Sequence, residues 1–271
     1  MTAPTRTALT SQGTHSGAFA ARDWALLSGI ALIWGSSFLF MAIGLDHFEP
    51  GVVTLARLVL GAGALALVPA ARTPIAPMDR MRVAALGIIW MAIPLSLFPI
   101  AQQWISSSVA GMINGAVPIT TAAWATFLMR RLPGRRQLIG IAIGFAGMVA
   151  IFLPEVQESS ATLLGTILLL VAITCYGLSG NMAVPLQQRY GAAPVLLRAQ
   201  LAALVVVTPI GLLQLRGSSW ALDSALAMIP LGVLGTGLAL VLMTTLVGRV
   251  GSTRGSVAIY FVPVVAIALG V

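Results

Sequence analysis

The chain has 271 residues, of which 58% are hydrophobic and 8% are charged, and its mean hydropathy is +0.99. A water-soluble domain needs a charged, mixed surface, so this composition excludes an ordinary soluble domain and predicts a protein that crosses a membrane several times. The net charge of +8 comes from Arg alone, and most of these arginines stand in short polar breaks, where they indicate membrane topology and not a nucleic-acid surface.

Apolar segments of about 20 residues, the length of a membrane-spanning helix, follow one another along the chain. Strands of a barrel would alternate over about ten residues, so the predicted fold class is all-α and polytopic. Pro94 and Pro99 are expected to bend the third helix. The predicted helices, in chain order, cover about 24–45, 51–70, 83–103, 106–129, 138–153, 162–184, 194–213, 224–247 and 255–271.

The fourth predicted helix, from Ser106 to Met129, is uncharged but carries a small and partly polar stripe. At helical spacing Gly111, Asn114, Pro118 and Thr121 fall on one face. A stripe of this kind faces other protein or a pathway more readily than it faces acyl chains. The helix is therefore expected to border a route through the membrane.

Two copies of one pattern occur in the chain, offset by about 142 to 145 residues. In each copy an aromatic residue precedes, by 22 or 23 positions, an Arg in the next apolar segment, and a Ser precedes a Pro by eleven positions. Each full copy has five helices, an odd number, so the second copy is expected to be inverted relative to the first, as in many transporters. The matched pairs are Trp34 and Arg57 with Tyr176 and Arg198, and Ser107 and Pro118 with Ser252 and Pro263.

The repeat predicts where the parts of the chain begin and end. By the offset, Val271 corresponds to Thr126, so the chain is expected to stop within the ninth helix, with a tenth helix beyond it. The predicted parts are an N-terminal tail (1–22), a first five-helix repeat (23–153), a linker (154–161) and a second, truncated repeat (162–271).

Arginines are divided unequally between alternate loops. Twelve arginines lie in the N-terminal tail or in the loops on the same side of the membrane as that tail. The loops on the other side hold one arginine, Arg216, and five of the seven carboxylates. By the positive-inside rule the Arg-rich side, with the N-terminus, is cytoplasmic. The linker 154–161 is then periplasmic.

Three stretches resemble the EamA-type members of the drug/metabolite transporter superfamily. They are ALIWGSSFLFMAIGL in the first helix, TLARLVLGAGALAL in the second, and the Pro-centred fourth helix followed by a basic turn and a Gly-rich fifth helix. One departure is that Arg130 and Arg131 stand in a turn where the family commonly has an acidic residue. The resemblance implies ten helices, a central cavity lined mainly by helices 1, 3, 4, 6, 8 and 9, and export of small metabolites, as by amino-acid exporters of the bacterial inner membrane.

The sequence argues against a membrane enzyme. The chain has no Lys for a P-loop or a Schiff base, and its predicted helices carry no Ser/His couple, paired Asp or metal cluster. No cofactor or metal is therefore predicted. His15, His47 and all seven carboxylates fall in the tail or in predicted loops, which favours facilitated transport or exchange over proton coupling.

Arg57 and Arg198 are the two charges inside predicted helices. An Arg at a helix centre costs about 2.5–3.5 kcal/mol on the insertion scale. Each either binds a carboxylate or phosphate of the substrate, or snorkels and bonds helix-end carbonyls. Their symmetric placement in the two repeats favours the structural role for both.

Candidate cavity residues are polar or aromatic side chains on helix faces that can converge. Asn114 and Tyr260 are the strongest, because unpaired polar groups are costly in lipid and both lie on the repeated helix. For the Ser and Thr residues, helix packing is the open alternative. The full set is Trp34, Ser37, Met41, Trp90, Gln102, Asn114, Pro118, Thr121, Tyr176, Ser179, Thr236, Met243, Tyr260 and Pro263.

This lining suits a small zwitterion or an aromatic solute better than a sugar phosphate, which would need several cations. Together with the resemblance, it predicts a secondary transporter that exports small metabolites, above all amino acids, aromatic or otherwise apolar, by alternating access across the bacterial inner membrane. The alternatives are an antiporter of phosphorylated or nucleotide-linked metabolites, which the absence of Lys argues against, and a scaffold that transports nothing. The expected partners are a small-molecule substrate and the lipid bilayer, without nucleic acid. Gly140 and Gly144 could form a dimer interface or a packing face within the fold, and the packing face is favoured. A monomer is accordingly the favoured oligomeric state.

Overall fold

A computed structural model describes residues 9–105, 107–158 and 163–268 of the chain. Within these residues nine helical segments pack side by side, which confirms the all-α polytopic prediction. Six of the segments are long and apolar enough to cross a membrane, and α2 is a shorter apolar helix. The segments are α1 (Ala21–Leu45), α2 (Pro50–Ala66), α3 (Pro77–Ala101), α4 (107–129), α5 (Arg135–Glu158), α6 (Leu163–Tyr190), α7 (Ala192–Gln214), α8 (Leu222–Val250) and α9 (252–268).

The outer surface of the bundle is strongly apolar. Leu32, Ile143 and Val205 are 59%, 67% and 75% exposed. A soluble protein rarely exposes so much large apolar surface, whereas a lipid-facing surface requires it.

α3 and α8 each contain a π-helical stretch. In α3 it covers Ile88–Ala92 and ends two residues before Pro94. Pro94 has no N–H for the carbonyl one turn earlier, so the hydrogen-bonding register changes at the place where the sequence predicts a bend. In α8 the stretch is the glycine-rich Leu231–Leu238.

α4 is not the continuous helix that the sequence predicts. It consists of Ser107–Asn114 and Val117–Met129, with a turn at residues 115–116, and Ser106 lies outside the described residues. Pro118 cannot donate to the carbonyl of Asn114, so the first helix ends there and a second begins with the proline in its first turn.

Other boundaries shift by a few residues. α5 begins at Arg135 and not at Leu138, because the N–H groups of Gln137 and Leu138 both donate to the carbonyl of Gly134. It continues to Glu158, over part of the predicted linker, of which residues 159–161 lie outside the described residues. α9 begins at Ser252 and passes through a 3₁₀ stretch, Ser256–Phe261, and residues 269–271 at its predicted end lie outside the described residues.

Glycines bring α2 against the π-helical stretch of α8. A Cβ added at Gly61 would lie 3.1 Å from the carbonyl oxygen of Gly232 and 3.2 Å from the backbone nitrogen of Gly237. Conversely, a Cβ at Gly232 would lie 2.5 Å from that of Leu60. The two backbones can approach this closely only because these positions carry no side chain.

The close approach can be tested by substituting leucine at two glycines of α2. Gly61→Leu should destabilise the protein by about 1–3 kcal/mol or prevent its folding, because the side chain must push α8 away. Gly63→Leu is the control, since a Cβ added there meets nothing within 4 Å. Thermal unfolding in detergent, followed by circular dichroism, should separate the two variants, and equal stability would contradict this packing.

Candidate functional site

A cavity of about 120 Å³ lies at the centre of the bundle. Residues of α1, α3, α4, α6, α8 and α9 line it, as the resemblance implies, and α2 contributes Arg57. Most of the wall is apolar. Its aromatic side chains are Trp34, Phe38, Trp90, Phe98 and Tyr176.

Residues on one face of α1 form part of the cavity wall. Trp34, Ser37, Phe38 and Met41 are spaced by three or four residues and so share one face of the helix. Trp34 is fixed by its indole Nε1, which donates to the carbonyl of Gly235 at 3.0 Å. Gly235 belongs to the π-helical stretch of α8, so the irregular register supplies this carbonyl.

Aromatic rings of α3 and α6 form another part of the wall. Phe98 of α3 and Tyr176 of α6 lie with centroids 5.9 Å apart and ring planes 29° from parallel. Trp90 comes from the π-helical stretch of α3 and is 5% exposed. The cavity is thus bordered by flat apolar surfaces suited to an aromatic or branched aliphatic group.

The Ser and Thr hydroxyl groups in the wall donate hydrogen bonds within their own helices. Ser37 donates to the carbonyl of Ile33 at 2.7 Å, and Thr121 donates to that of Val117 at 2.8 Å. By contrast, the amide of Asn114 and the hydroxyl of Tyr176 make no hydrogen bond to any residue that the structure describes. These two groups are open to a ligand.

Arg57 is the cation of the cavity. It is 8% exposed, and its Nε donates to Oγ1 of Thr236 at 2.9 Å. Thr236 is itself buried, with 1% of its surface exposed. Among the described residues, no carboxylate pairs with Arg57 and no group accepts a hydrogen bond from its two terminal nitrogens.

Arg198 has a different environment, although the sequence pattern treats the two arginines alike. Its Nη1 donates to the carbonyls of Ala71 (2.9 Å) and Pro194 (3.2 Å), and its Nη2 to that of Arg72 (3.1 Å). These bonds tie α7 to the loop between α2 and α3, which is the structural role expected of it. Arg198 does not reach the cavity.

Eight of the fourteen predicted cavity residues lie in the cavity wall, and the other six do not. Ser179 donates to the carbonyl of Tyr176, and Thr236 contacts Arg57 behind the wall. Gln102 follows the end of α3, and Pro118 and Pro263 are buried in their own helices. The eight in the wall are Trp34, Ser37, Met41, Trp90, Asn114, Thr121, Tyr176 and Met243.

Tyr260, a leading candidate from the sequence, packs against α5. Its hydroxyl donates to the carbonyl of Ile141 at 2.9 Å, and its ring lies against Gly144. Gly144 therefore serves packing within the fold. A Cβ added at Gly140, the other small residue of that face, would meet nothing within 4 Å.

Several residues of the cavity wall were not predicted from the sequence. Phe38 and Phe98 had a usable signal, since they stand four residues after Trp34 and eight after Trp90, on the same helix faces. The apolar wall residues of α8 and α9 had no such sequence signal, because they are of the same residue types as lipid-facing residues. The remaining missed residues are Leu95, Val117, Gly180, Leu231, Gly235, Leu240, Ser256, Ile259 and Val262. Arg57, for which the sequence left a substrate-binding and a structural role open, also lies in the wall.

Among the described residues no group of three or more His, Cys, Asp or Glu could hold a metal ion.

Residues 24–153 match the EamA-like transporter family. The match covers a little under half of the chain, and over these residues the chain is similar to that family. A solved crystal structure of another protein superposes with a TM-score of 0.73 at 16% identity, covering 93% of this chain and 88% of that chain. That similarity concerns the fold alone.

The most similar relatives include transporters from bacteria and an archaeon. The uncharacterized transporter YcxC of Bacillus subtilis is 29% identical over 165 residues, which cover 59% of this chain and about half (53%) of YcxC. An uncharacterized transporter of Archaeoglobus fulgidus is 21% identical over 92% of this chain and 89% of its own length. The uncharacterized inner membrane transporter YedA of Escherichia coli is 27% identical over 45% of this chain and 41% of its own length.

One end of the bundle is closed by ion pairs. The end that carries the Arg-rich loops is called the basic end below. Asp23 at the start of α1 pairs with Arg249 at 2.7 Å, and Asp79 at the start of α3 pairs with Arg189 at 2.8 Å. Both carboxylates are almost fully buried, and each pair joins a helix of the first predicted repeat to one of the second.

The chain's own N-terminal segment, residues 9–20, also covers the basic end. Thr10 and Ser11 are buried, and Ser11 donates to Oε1 of Gln188 at 2.8 Å. Arg254 donates to the carbonyls of His15 (3.1 Å) and Gly17 (2.6 Å). The segment is thereby fastened to the ends of α6 and α9.

Asn181 is the centre of this closure and was not foreseen from the sequence. It is fully buried in α6; its Nδ2 donates to the carbonyls of Gly177 (2.9 Å) and Thr121 (3.0 Å). Its Oδ1 accepts from Ser252 (2.7 Å) and from Thr10 (3.3 Å). One amide thus connects α4, α6, α9 and the N-terminal segment.

Replacing Asn181 by Ala should loosen the N-terminal segment. The change leaves buried partners unpaired, at a cost of about 1–3 kcal/mol in stability. Hydrogen–deuterium exchange of residues 10–17 should then become faster, and the unfolding temperature should fall. Ser36→Ala is the control, because that hydroxyl bonds only carbonyls of its own helix. Unchanged exchange in the segment would contradict the role of Asn181.

Proposed function

We propose that this chain is a secondary transporter that exports small metabolites, above all amino acids with apolar side chains, across the bacterial inner membrane. The observation that carries the proposal is the central cavity, whose apolar and aromatic wall is interrupted by the open polar groups of Arg57, Asn114 and Tyr176. Small-molecule sites combine an apolar lining with a few polar groups in this way. The match of residues 24–153 to a transporter family supports transport over binding alone.

The size of the cavity supports a small substrate. An engineered protein cavity of about 150 Å³ binds benzene. The cavity of about 120 Å³ is of similar size and therefore accommodates one ring or a branched aliphatic chain. A nucleotide-linked metabolite is much larger, and a phosphorylated one carries charge that a single Arg does not neutralise. The antiporter of such compounds is the weaker candidate.

Alternating access between two inverted repeats is the mechanism that we propose. In its support, the π-helical stretches begin at Ile88 and Leu231, 143 positions apart, in the third helix of each predicted repeat. The ion pairs and the N-terminal segment close the basic end, which the positive-inside rule assigns to the cytoplasm. In this conformation substrate would exchange on the opposite side, and export requires these contacts to open.

Transport can be tested with purified protein in liposomes. Efflux of labelled leucine, phenylalanine, valine and methionine should exceed that from protein-free liposomes for at least one of them. Asn114→Ala should lower that flux several-fold without loss of folded protein, because the amide is open to the cavity. Tyr260→Phe is the control: it removes only the bond to Ile141, worth about 1 kcal/mol, and should leave flux intact.

Two outcomes would contradict the proposal. One is the absence of flux for every member of a panel that covers all amino acids. The other is an equal loss of flux in Asn114→Ala and Tyr260→Phe, which would mean that Asn114 acts through packing and not through the pathway.

A further inference from the structure

We propose that Arg57 binds the carboxylate of the transported molecule, and that Thr236 positions the guanidinium for this task. The substrate class is then a monocarboxylate with an apolar body, which includes the apolar amino acids. The inference rests on the proposed function and adds to it the group that the cavity recognises.

The packing of α2 against α8 fixes the position of Arg57. Gly61 lies against the π-helical stretch of α8, and Arg57 lies one turn earlier on the same face of α2. This placement brings Nε of Arg57 to 2.9 Å from the hydroxyl of Thr236. The remaining donors of the guanidinium, on its two terminal nitrogens, form a planar fork that matches the two oxygens of a carboxylate.

Charge balance favours an anion at this point. Arg57 is only 8% exposed, and it has no carboxylate partner among the described side chains. The buried carboxylates of Asp23 and Asp79 are both engaged with other arginines at the basic end. A buried charge without a counter-charge is costly, so an anionic ligand would restore the balance.

The surroundings of Arg57 favour one negative charge and not two. Arg57 is the only cationic residue in the wall of the cavity, as far as the described residues define that wall. A phosphate monoester dianion would leave one charge without a partner in an apolar environment. A carboxylate is neutralised by one guanidinium, and its apolar body can lie against the rings of Trp90, Phe98 and Tyr176.

The same wall can accept an ammonium group. The amide oxygen of Asn114 and the hydroxyl of Tyr176 are unpaired acceptors among the described groups, and aromatic faces attract cations. A zwitterion therefore fits, but the proposal assigns the dominant recognition to the carboxylate, because only that group meets a full opposite charge.

Four related compounds separate these groups without any mutation. L-Phenylalanine carries both charges, 3-phenylpropionate only the carboxylate, phenylethylamine only the ammonium, and L-phenylalaninamide a neutral amide in place of the carboxylate. Binding to the purified protein is measured by isothermal titration calorimetry, and flux is measured in liposomes. The first two compounds should bind at least about tenfold more tightly than the last two, as expected for loss of a charge-assisted hydrogen bond.

Variants then assign the effect to Arg57. Arg57→Gln should raise the KM for phenylalanine at least about tenfold and leave binding of phenylalaninamide unchanged. The KM of Arg57→Lys for phenylalanine should lie between those of the wild type and Arg57→Gln, since lysine keeps the charge but loses the planar fork of donors. Arg216→Gln is the matched control, because Arg216 is exposed in the loop before α8. Thr236→Val should raise the KM for phenylalanine more than the KM for phenylalaninamide, and Thr236→Ser should restore it.

The outcomes distinguish this inference from the proposed function. If the wild-type protein moves the amine or the amide as well as the carboxylates, or if folded Arg57→Gln keeps its KM, the inference is overturned while transport stands. If nothing is moved, transport fails, and the binding measurements decide the inference by themselves. Should Arg57→Gln not fold, the relative affinities of the four compounds for the wild-type protein decide it.

Discussion

In the hydrocarbon interior each backbone N–H and C=O must be paired within the protein, and this constraint governs the arrangement of the chain. Regular helices satisfy it, so departures from regular helix are tolerated only where they are covered by protein or border a cavity. Four departures lie inside helical segments of the described residues: the π-helical stretches of α3 and α8, the turn in α4 and the 3₁₀ stretch of α9. All four contribute or adjoin residues of the cavity wall, among them Trp90, Gly235, Asn114 and Ser256.

Charged side chains are placed under a similar constraint. At the basic end, buried Asp23 and Asp79 are paired with arginines of other helices, and their attraction closes that end of the bundle. In the cavity the charge of Arg57 has a hydroxyl beside it and no carboxylate among the described side chains. The paired charges hold the bundle together, and the unpaired charge can hold a ligand. We therefore assign closure of the basic end to the ion pairs and recognition of the ligand to Arg57.

The sequence predicted the helices well because long apolar runs between arginine-bearing breaks are strong, local signals. It predicted part of the cavity for the same reason: Trp34, Ser37 and Met41 share a face that regular helix geometry fixes. It misplaced the α9 side, because a 3₁₀ stretch with about three residues per turn brings Ser256 and Ile259 to the wall in place of Tyr260. Such a local change of register leaves no clear mark in composition.

Two features depended on contacts that a sequence pattern does not contain. Arg57 and Arg198 look equivalent along the chain, and only their neighbours, Thr236 for one and the carbonyls of Ala71 and Arg72 for the other, separate their roles. The partners of Asn181 in the N-terminal segment, α4 and α9 are 171, 60 and 71 positions away. No periodicity indicates a network over such separations.

A structure with the best-transported amino acid bound would show whether Arg57 recognises the carboxylate of the substrate. We expect the ligand in the central cavity, with its carboxylate oxygens about 2.7–2.9 Å from the terminal nitrogens of Arg57. Its apolar side chain should lie against the rings of Trp90, Phe98 and Tyr176. A ligand bound outside this cavity, or bound within it with the carboxylate directed away from Arg57, would contradict the account.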